Sequence, residues 1–306
     1  MPEKTVFISG GSGALGRRLC YQLTQRGDRV VVLSRDAAKA RVLVPEATEW
    51  ISWSHSPGSY HPMFEQADAI INLAGASIAD HRWTAAYKHE ILSSRIHATR
   101  SLVEAAGRAH RQGCVFLSAS GVDYYGDKRQ MLVDEQSAPG ENFLAHVCVA
   151  WEQEARHAED HGLRTVMLRT GIVLDTQTGA LAKLLLPFKM GLGGPILPGT
   201  QWWSWIHVDD IIGLYLFALD NDQVDGPLNA TAPNPEQNRD FSATLGRVLG
   251  RPALIPLPPF ALRLALGEMS VSLLVEKQRA IPRKALEHGY QFRYPTLEPA
   301  LRDLLT

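Results

Sequence analysis

The first residues that could do chemistry are glycines at the spacing G-x-x-G-x-x-G, directly after a short apolar run at residues 6–9. Residues 14–26 carry leucines at helical spacing, so the glycine loop joins a predicted strand to a predicted helix. Glycine lets the backbone turn tightly and approach phosphates, and the free N–H groups at a helix start attract anions. The pattern predicts a dinucleotide pyrophosphate site, with an ordinary glycine-rich turn as the alternative. Its residues are Gly10, Gly13, Ala14, Leu15 and Gly16.

The end of the second predicted strand, residues 29–33, indicates which dinucleotide binds. A carboxylate at this point would bind the ribose 2′-hydroxyl of NAD, but the sequence has Ser34 and Arg35 there. The planar guanidinium of arginine suits a 2′-phosphate, whereas Asp36 comes late and is expected to cap the next helix. We therefore predict NADP as the cofactor. The alternative is that Arg35 is a solvated surface charge.

The elements that must position these residues alternate through the first 170 residues of the chain. Apolar runs at residues 29–33, 49–53, 69–73, 114–118 and 165–168 are typical of buried strands, and helical patterns lie between most of them. This alternation predicts parallel strands joined by right-handed crossovers. The run at 69–73 leads into Leu73, Ala74 and Gly75, which we expect to let the cofactor lie over the carboxyl edge of the sheet.

The second part of the chain has a different texture, with clustered glycine, proline and tryptophan after residue 171 and short predicted helices near the end. We predict an α/β fold with a Rossmann-like, doubly wound parallel sheet in residues 1–171 and a smaller, mostly helical carboxy-terminal cap in residues 172–306. Later segments are expected to return to the sheet domain. The substrate is expected to bind between the sheet edge and the cap.

The composition excludes several functional classes. A formal net charge of -1 offers no basic surface for nucleic acid, and no apolar stretch approaches the roughly 18 residues that cross a membrane. Cys20, Cys114 and Cys148 are few and far apart, which predicts neither a disulfide framework nor a zinc site. We expect a cytoplasmic protein without a metal, with a small-molecule substrate; a homodimer is left open.

Longer motifs extend beyond the glycine loop and cover nearly the whole chain. On these motifs the chain resembles the extended or atypical short-chain dehydrogenase/reductases. Within them, it is similar to the NAD-dependent epimerase-like family that ends in a carboxy-terminal domain of unknown function. The motifs lie at residues 10–16, 72–75, 118–126, 168–171, 205–210, 229–235 and 266–268.

The resemblance implies catalysis by a serine, a tyrosine and a lysine, in which the lysine lowers the pKa of the tyrosine and the nicotinamide exchanges a hydride with the substrate. Ser120 matches the serine. If Glu152 matches the acidic residue that follows the lysine in the family, Leu144 stands at the tyrosine position and Cys148 at the lysine position. The resemblance therefore leaves the general acid unassigned.

Two tyrosines close to Ser120 are the candidates for a different acid or base. Tyr124 and Tyr125 follow it directly and are expected to face the nicotinamide. Tyr124 and Lys128 have the Y-x-x-x-K spacing, but Gly126 interrupts them, so we do not expect them to share a helical face. The family resemblance also implies that three further residues lie beside the cofactor. These are Ser118, Arg169 and Gly171.

Candidate substrate contacts come from a helix and from the second half of the chain. Lys88 and Arg95 share a face of one predicted helix and could hold an anionic group, or be ordinary surface charges. Trp203 and Trp205 either line an apolar or sugar-stacking pocket or pack the cap on the sheet. His207 could contact substrate, although helix capping is the favoured role for this position.

These features predict an NADP(H)-dependent oxidoreductase or epimerase-like enzyme of the extended short-chain dehydrogenase type. Its substrate would be a carbonyl compound or a nucleotide-sugar, between which the sequence does not choose. The missing Y-x-x-x-K pair favours an alternative from another class, a cofactor-binding sensor or scaffold without turnover.

Overall fold

The structure is a computed structural model that describes residues 3–56, 58–109, 111–270 and 278–306. Strands and helices alternate along its first part. The strands are β1 Thr5–Ser9, β2 Arg29–Ser34, β3 Glu49–Ser52, β4 Ala69–Asn72, β5 Val115–Gly121, β6 Leu132–Val133, β7 Arg164–Thr170, β8 Ile172–Leu174, β9 Trp202–Trp203, β10 Trp205–His207, β11 Gly226–Ala230, β12 Glu236–Gln237 and β13 Arg279–Ala280. The helices are α1 Ala14–Gln25, α2 Ala37–Leu43, α3 Ala85–Ala109, α4 Phe143–Arg156, α5 Gly179–Lys189, α6 Val208–Asp220, α7 Asn238–Leu249, α8 Pro259–Leu266, α9 Glu268–Ser270, α10 Arg283–Glu287 and α11 Leu297–Leu305.

Seven parallel strands form the central sheet, in the order β11-β7-β5-β4-β1-β2-β3. Ser9 at the end of β1 lies opposite Leu33 of β2 and Asn72 of β4. The carboxyl ends of these three strands therefore meet at one edge, where open α/β sheets bind ligands. The strand order reverses between β1 and β4, so the predicted Rossmann-like, doubly wound α/β fold is confirmed.

The sheet alternates its side chains between two helical layers, as strand geometry requires. Val6 and Ile8 of β1 face α1, α2 and α6, whereas Phe7 faces α3 and α4. One strand and one helix of these layers come from beyond residue 171. β11 pairs with β7 at the edge of the sheet, and α6 packs beside α1. Segments on both sides of residue 171 therefore contribute to the sheet and its helical layers.

The remaining second half packs as a smaller cap, built mainly from α5, α7 and α11 around a separate apolar core. Short strand pairs connect it to the sheet domain, among them β8 with β10. The helix α4 ends at Arg156, and a 3-10 turn follows at Glu159–His161. Within the residues described, no helix is both long and apolar enough to cross a membrane.

Candidate cofactor and active site

The glycine loop between β1 and α1 is folded so tightly that side chains are excluded from it. A Cβ atom at Gly16 would lie 2.4 Å from the carbonyl oxygen of Gly10. One at Gly10 would lie 2.8 Å from the carbonyl carbon of Leu73, and Gly10 also has a positive φ of 80°. The loops after β1 and β4 are therefore in backbone contact. This contact brings the glycine loop and residues 73–75 together at the carboxyl edge of the sheet, where the sequence analysis placed both segments.

The first turn of α1 directs its amides at the same edge. Gly13 is the N-cap of α1, and no side chain caps this end of the helix. The first helical bond runs from the Arg17 amide to the Gly13 carbonyl oxygen over 2.9 Å. Because the amides of Ala14, Leu15 and Gly16 precede this bond, they belong to the group that has no intrahelical acceptor. Such a turn attracts an anion.

The end of β2 is open where an NAD-binding site would carry a carboxylate. The Ser34 hydroxyl accepts a hydrogen bond from the Asp36 amide over 3.2 Å. Asp36 caps α2 as predicted, because its carboxylate accepts a bond from the Lys39 amide over 2.9 Å. Arg35 is exposed and, within the residues described, forms no ion pair. A cation is thus left without compensation beside the Ser34 hydroxyl.

Arg95 supports the loop after β4 from α3. Its Nη1 atom donates to the carbonyl oxygens of Ala76 and Ile91, each over 2.9 Å, and its guanidinium lies 4.9 Å from the ring centre of Trp151. A Cβ at Gly75 would lie 3.1 Å from the Arg95 side chain. Burial lowers the pKa of Arg95. The residue expected to hold substrate therefore holds the backbone of the loop.

Ser120 lies at the end of β5, but its proton is directed into the protein. Its hydroxyl donates to Glu152 Oε1 over 2.8 Å. Arg169 donates to both oxygens of the same carboxylate, from Nε over 2.8 Å and from Nη2 over 2.9 Å. All three side chains are buried. Because the bidentate arginine keeps Glu152 an acceptor, Ser120 offers only lone pairs to a ligand.

Arg169 and Tyr125 continue this network instead of lining an open site. The Tyr125 hydroxyl accepts a bond from Arg169 Nη1 over 3.0 Å and donates to Asn229 Oδ1 over 2.7 Å. Its ring is 0% exposed, and burial raises the pKa of Tyr125. The Arg169 guanidinium also lies 3.4 Å from the ring centre of Tyr124. Arg169 and Tyr125 are thus both buried and hydrogen-bonded to partners within the protein.

The positions of the family's tyrosine and lysine hold apolar, buried groups. Leu144 and Cys148 both lie on the buried face of α4. Burial, and then the charges of Asp123 and Glu152, raise the pKa of the Cys148 thiol to about 12. Neither side chain can exchange a proton with a ligand at neutral pH.

Ser118 and Gly171 lie near this network, and both are engaged by the protein itself. Ser118 is buried at the end of β5 and donates to the Ala119 carbonyl oxygen over 3.2 Å. A Cβ at Gly171 would lie 2.3 Å from the Ser204 carbonyl oxygen. The glycine therefore allows β7 to pass close to the cap.

The remaining candidate substrate contacts are spread over different parts of the molecule. Lys88 pairs with Glu268 over 2.5 Å, with its ammonium 5.0 Å from the ring centre of Phe143. Trp203 and Trp205 are 1% and 0% exposed in the core of the cap, which corrects the expectation that they line a pocket. Both tryptophans therefore pack in the apolar core of the cap and do not line a pocket.

His207 caps a helix, as its position at the start of α6 suggests. Its Nδ1 atom accepts a hydrogen bond from the Asp209 amide over 3.1 Å, and its ring is buried. The Nε2 atom lies 3.4 Å from Asp303 Oδ2. Oxygen or nitrogen atoms of His207, Asp209 and Asp303 lie within 4.8 Å of one another. However, the accepted bond at Nδ1 leaves the ring proton on Nε2, so this nitrogen has no lone pair for a metal.

A groove of about 690 Å³ runs between α1 and α6, and Ala14 of the first turn of α1 is among the residues that line it. Arg18 pairs with Asp175 there over 3.2 Å, and Arg293 pairs with Asp209 over the same distance. Within each of these two pairs the charges compensate each other. The chemistry-bearing residues lie at the sheet edge instead.

Two residues of the buried network were not among the predicted site residues. Asn229 accepts from Tyr125, and Glu135 accepts from the Asn229 amide over 3.0 Å. Both hydrogen bonds join segments about a hundred residues apart, so no local sequence pattern predicts them. A buried asparagine beside a buried tyrosine is visible only once β11 is placed in the sheet.

Comparisons with known proteins agree with this geometry. The model of the NAD dependent epimerase/dehydratase family matches residues 6–230, and a domain of unknown function, DUF1731, matches residues 257–304. The epimerase family protein YfhF of Bacillus subtilis is 41% identical over 98% of this chain and 97% of its own length. The human epimerase family protein SDR39U1 is 35% identical over 98% and 99%.

Solved structures show the same relationship. The crystal structure of human SDR39U1 with NADPH superposes with a TM-score of 0.88, covering 98% of each chain at 35% identity. A UDP-glucose 4-epimerase from Thermus thermophilus, solved with NAD, has a TM-score of 0.75 at 19% identity over 97% of this chain and 96% of its own, which shows a shared fold. The chain therefore belongs to the NAD-dependent epimerase/dehydratase family and carries its DUF1731 carboxy-terminal domain.

Proposed function

We propose that the chain binds NADP(H) across the carboxyl ends of β2, β1 and β4. The close backbone packing of Gly10 and Gly16 carries this proposal, because it leaves a cradle for a pyrophosphate at the first turn of α1. Gly13, Ala14 and Leu15 would contact the phosphates. Leu73, Ala74 and Gly75 would lie under the nicotinamide half of the cofactor. The NADPH in the structure of human SDR39U1 supports this assignment.

The choice of NADP(H) over NAD(H) rests on the end of β2. Ser34 and the uncompensated guanidinium of Arg35 would bind the 2′-phosphate, and Asp36 is occupied as a helix cap. An NAD-specific site of this fold has a carboxylate that accepts from the ribose hydroxyl. The residues present therefore fit the phosphorylated dinucleotide.

We further propose that the protein is an oxidoreductase or epimerase-like enzyme acting on a small carbonyl compound or nucleotide-sugar. When bound, the nicotinamide supplies or accepts a hydride. Ser120 would contact a ligand as an acceptor, since its own proton goes to Glu152. Because Leu144 and Cys148 exchange no protons, the chemical step would draw its proton from the half-buried Tyr124, from water or from the substrate.

The absence of a proton-exchanging group at Leu144 and Cys148 favours a second function, an NADP(H)-binding sensor or scaffold without turnover. In this alternative the buried network of Ser120, Glu152 and Arg169 holds β5, α4 and β7 together, and the cofactor's redox state alters binding to another molecule. The enzyme and the sensor share the cofactor site and differ only in turnover.

Calorimetric titration with NADPH and NADH tests the cofactor proposal. We expect NADPH to bind at least about tenfold more tightly than NADH, which corresponds to about 1.4 kcal/mol, and Arg35→Ala to remove the difference. Equal affinities in the unmodified protein would refute the NADP(H) assignment. NADPH oxidation against carbonyl compounds and nucleotide-sugars then separates the two functions, because a sensor binds NADPH and consumes none.

A further inference from the structure

His55 has a backbone conformation that histidine rarely adopts. Its φ is 55°, in the left-handed region, and His55 and Arg129 are the residues other than glycine with positive φ in the described ranges. Such a conformation costs free energy and persists where the surroundings enforce it, often at a ligand site. None of the sequence motifs described above includes His55, so the conformation itself calls for an explanation.

The segment that carries His55 runs directly beside the end of β2. Ser52 at the end of β3 lies opposite Ser34, and the Trp53 amide donates to the Ser34 carbonyl oxygen over 2.8 Å. His55 follows two residues later, and Arg35 follows Ser34 directly. Both side chains therefore belong to the carboxyl edge of the sheet, at the end that the adenosine half of a dinucleotide occupies in this fold.

The surroundings of the ring fix its orientation and leave one nitrogen available. The Ser101 hydroxyl on α3 donates to the Ala98 carbonyl oxygen over 3.0 Å, so toward His55 it presents lone pairs. His55 Nδ1 lies 3.5 Å from the Ser101 hydroxyl oxygen. The indole nitrogen of Trp53 donates a hydrogen bond to the same hydroxyl oxygen over 3.3 Å. The proton of neutral His55 thus belongs on Nδ1, and Nε2 carries a lone pair that can take up a second proton.

Charged groups around His55 favour its neutral form while no anion is bound. From β2, Arg35 acts on the ring with its positive charge. From α3, Glu104 accepts from the Gly58 amide and Arg108 donates to the Gly58 carbonyl oxygen, so both are engaged with the backbone three residues further on. Burial, and then the charge of Arg35, lower the pKa of His55 to about 4.

We propose that His55 and Arg35 together form the recognition site for the 2′-phosphate of NADP(H). A phosphate between them compensates the repulsion of two cations, so on phosphate binding His55 Nε2 takes up a proton from solvent in a fraction of the molecules at neutral pH. No covalent bond forms or breaks. The inference rests on the proposed binding of NADP(H), and it adds a second side chain and a proton to the selection against NAD(H).

Calorimetry in two buffers of different ionisation enthalpy measures this proton directly at pH 7.5. We expect NADPH binding to take up a fraction of a proton and NADH binding to take up none. His55→Asn keeps a side chain that tolerates a left-handed φ. It should lose the proton uptake and bind NADPH about tenfold more weakly, with unchanged affinity for NADH. His61→Asn is the matched control, because Asn preserves the cap of the 3-10 turn at Pro62–Gln66.

Each result decides between the inference and the function on which it rests. If His55→Asn retains both the proton uptake and the preference for NADPH, the role of His55 is refuted and the cofactor site stands. If the unmodified protein prefers NADPH but takes up no proton, the proton transfer is refuted. If the unmodified protein does not bind NADPH, the proposed function itself fails, whatever the variant does.

Discussion

The two ends of one sheet edge differ in how their polar groups are used. At the end formed by β1, β2 and β3, the α1 amides and the Arg35 guanidinium face outward from a tightly folded glycine backbone. At the end formed by β5 and β7, Ser120 and Arg169 are saturated by buried partners within the protein. The first end is organised to receive a ligand. The second is organised as a rigid polar core.

This difference explains why a shared fold does not carry a shared reaction. The nucleotide end depends on backbone geometry, which the glycine spacing preserves. A proton-transfer site instead depends on individual side chains, and the buried face of α4 carries Leu144 and Cys148, neither of which exchanges a proton at neutral pH. Function in this fold therefore has to be argued from the side chains at each end separately.

The largest expected effect tests whether the β5–β7 end is structural. Glu152→Ala should lower the free energy of unfolding by about 3–5 kcal/mol, because it leaves the buried guanidinium of Arg169 without its carboxylate. Glu154→Ala, two residues further along α4, removes an exposed ion pair with Arg100 and should cost less than about 1 kcal/mol. Denaturant unfolding measures both. Similar losses for the two variants would mean that the buried network is not structural.

The next effect separates two roles of glycine at the nucleotide end, close backbone packing at Gly16 and room for the phosphates at Gly13. Gly16→Ala should lower the free energy of unfolding without cofactor by about 1–3 kcal/mol, because its Cβ collides with the Gly10 backbone. A Cβ at Gly13 has a milder contact, 3.2 Å from the same oxygen, and points to where the phosphates would lie. Gly13→Ala should therefore leave the unfolding of the free protein nearly unchanged and weaken NADPH binding. Calorimetry and thermal unfolding together check this; a Gly13→Ala protein that binds NADPH normally would contradict the proposed cradle.

An effect of comparable size tests whether the Tyr125 hydroxyl has a role other than its hydrogen bonds in the buried network. Tyr125→Phe removes the bonds to Arg169 and Asn229, so we expect a loss of about 1–3 kcal/mol in unfolding free energy. NADPH affinity should stay within about twofold of the unmodified protein, since the hydroxyl is buried. If turnover on some substrate disappears while stability is retained, Tyr125 acts in catalysis and the contrast between the two ends is wrong.

Sequence patterns predict the parts of this molecule that depend on local geometry. The glycine loop, the Asp36 cap and the alternation of strands and helices each follow from neighbouring residues. Trp203 and Trp205 show the limit, since a tryptophan in a loop-rich segment suits a pocket or a core equally, and only the packing of α7 beside them decides. Tyr125 shows it again, because its partner Asn229 lies 104 residues further along the chain.

The smallest expected effect concerns His207, which stands away from both ends at the start of α6. Burial lowers its pKa in the folded protein below the usual value of about 6.5, and Nδ1 must stay unprotonated to accept the Asp209 amide. Its contribution is therefore complete above about pH 6.5 and is lost as the pH falls below that value, by at most about 1.4 kcal/mol per pH unit. His207→Asn keeps a capping side chain and should flatten this part of the profile of unfolding free energy against pH. The pKa of His55 is lowered as well, so His55 contributes to the same part of the profile. Subtracting the profile of the variant from that of the unmodified protein isolates the contribution of His207. Superimposable profiles would show that the His207 cap does not titrate in this pH range.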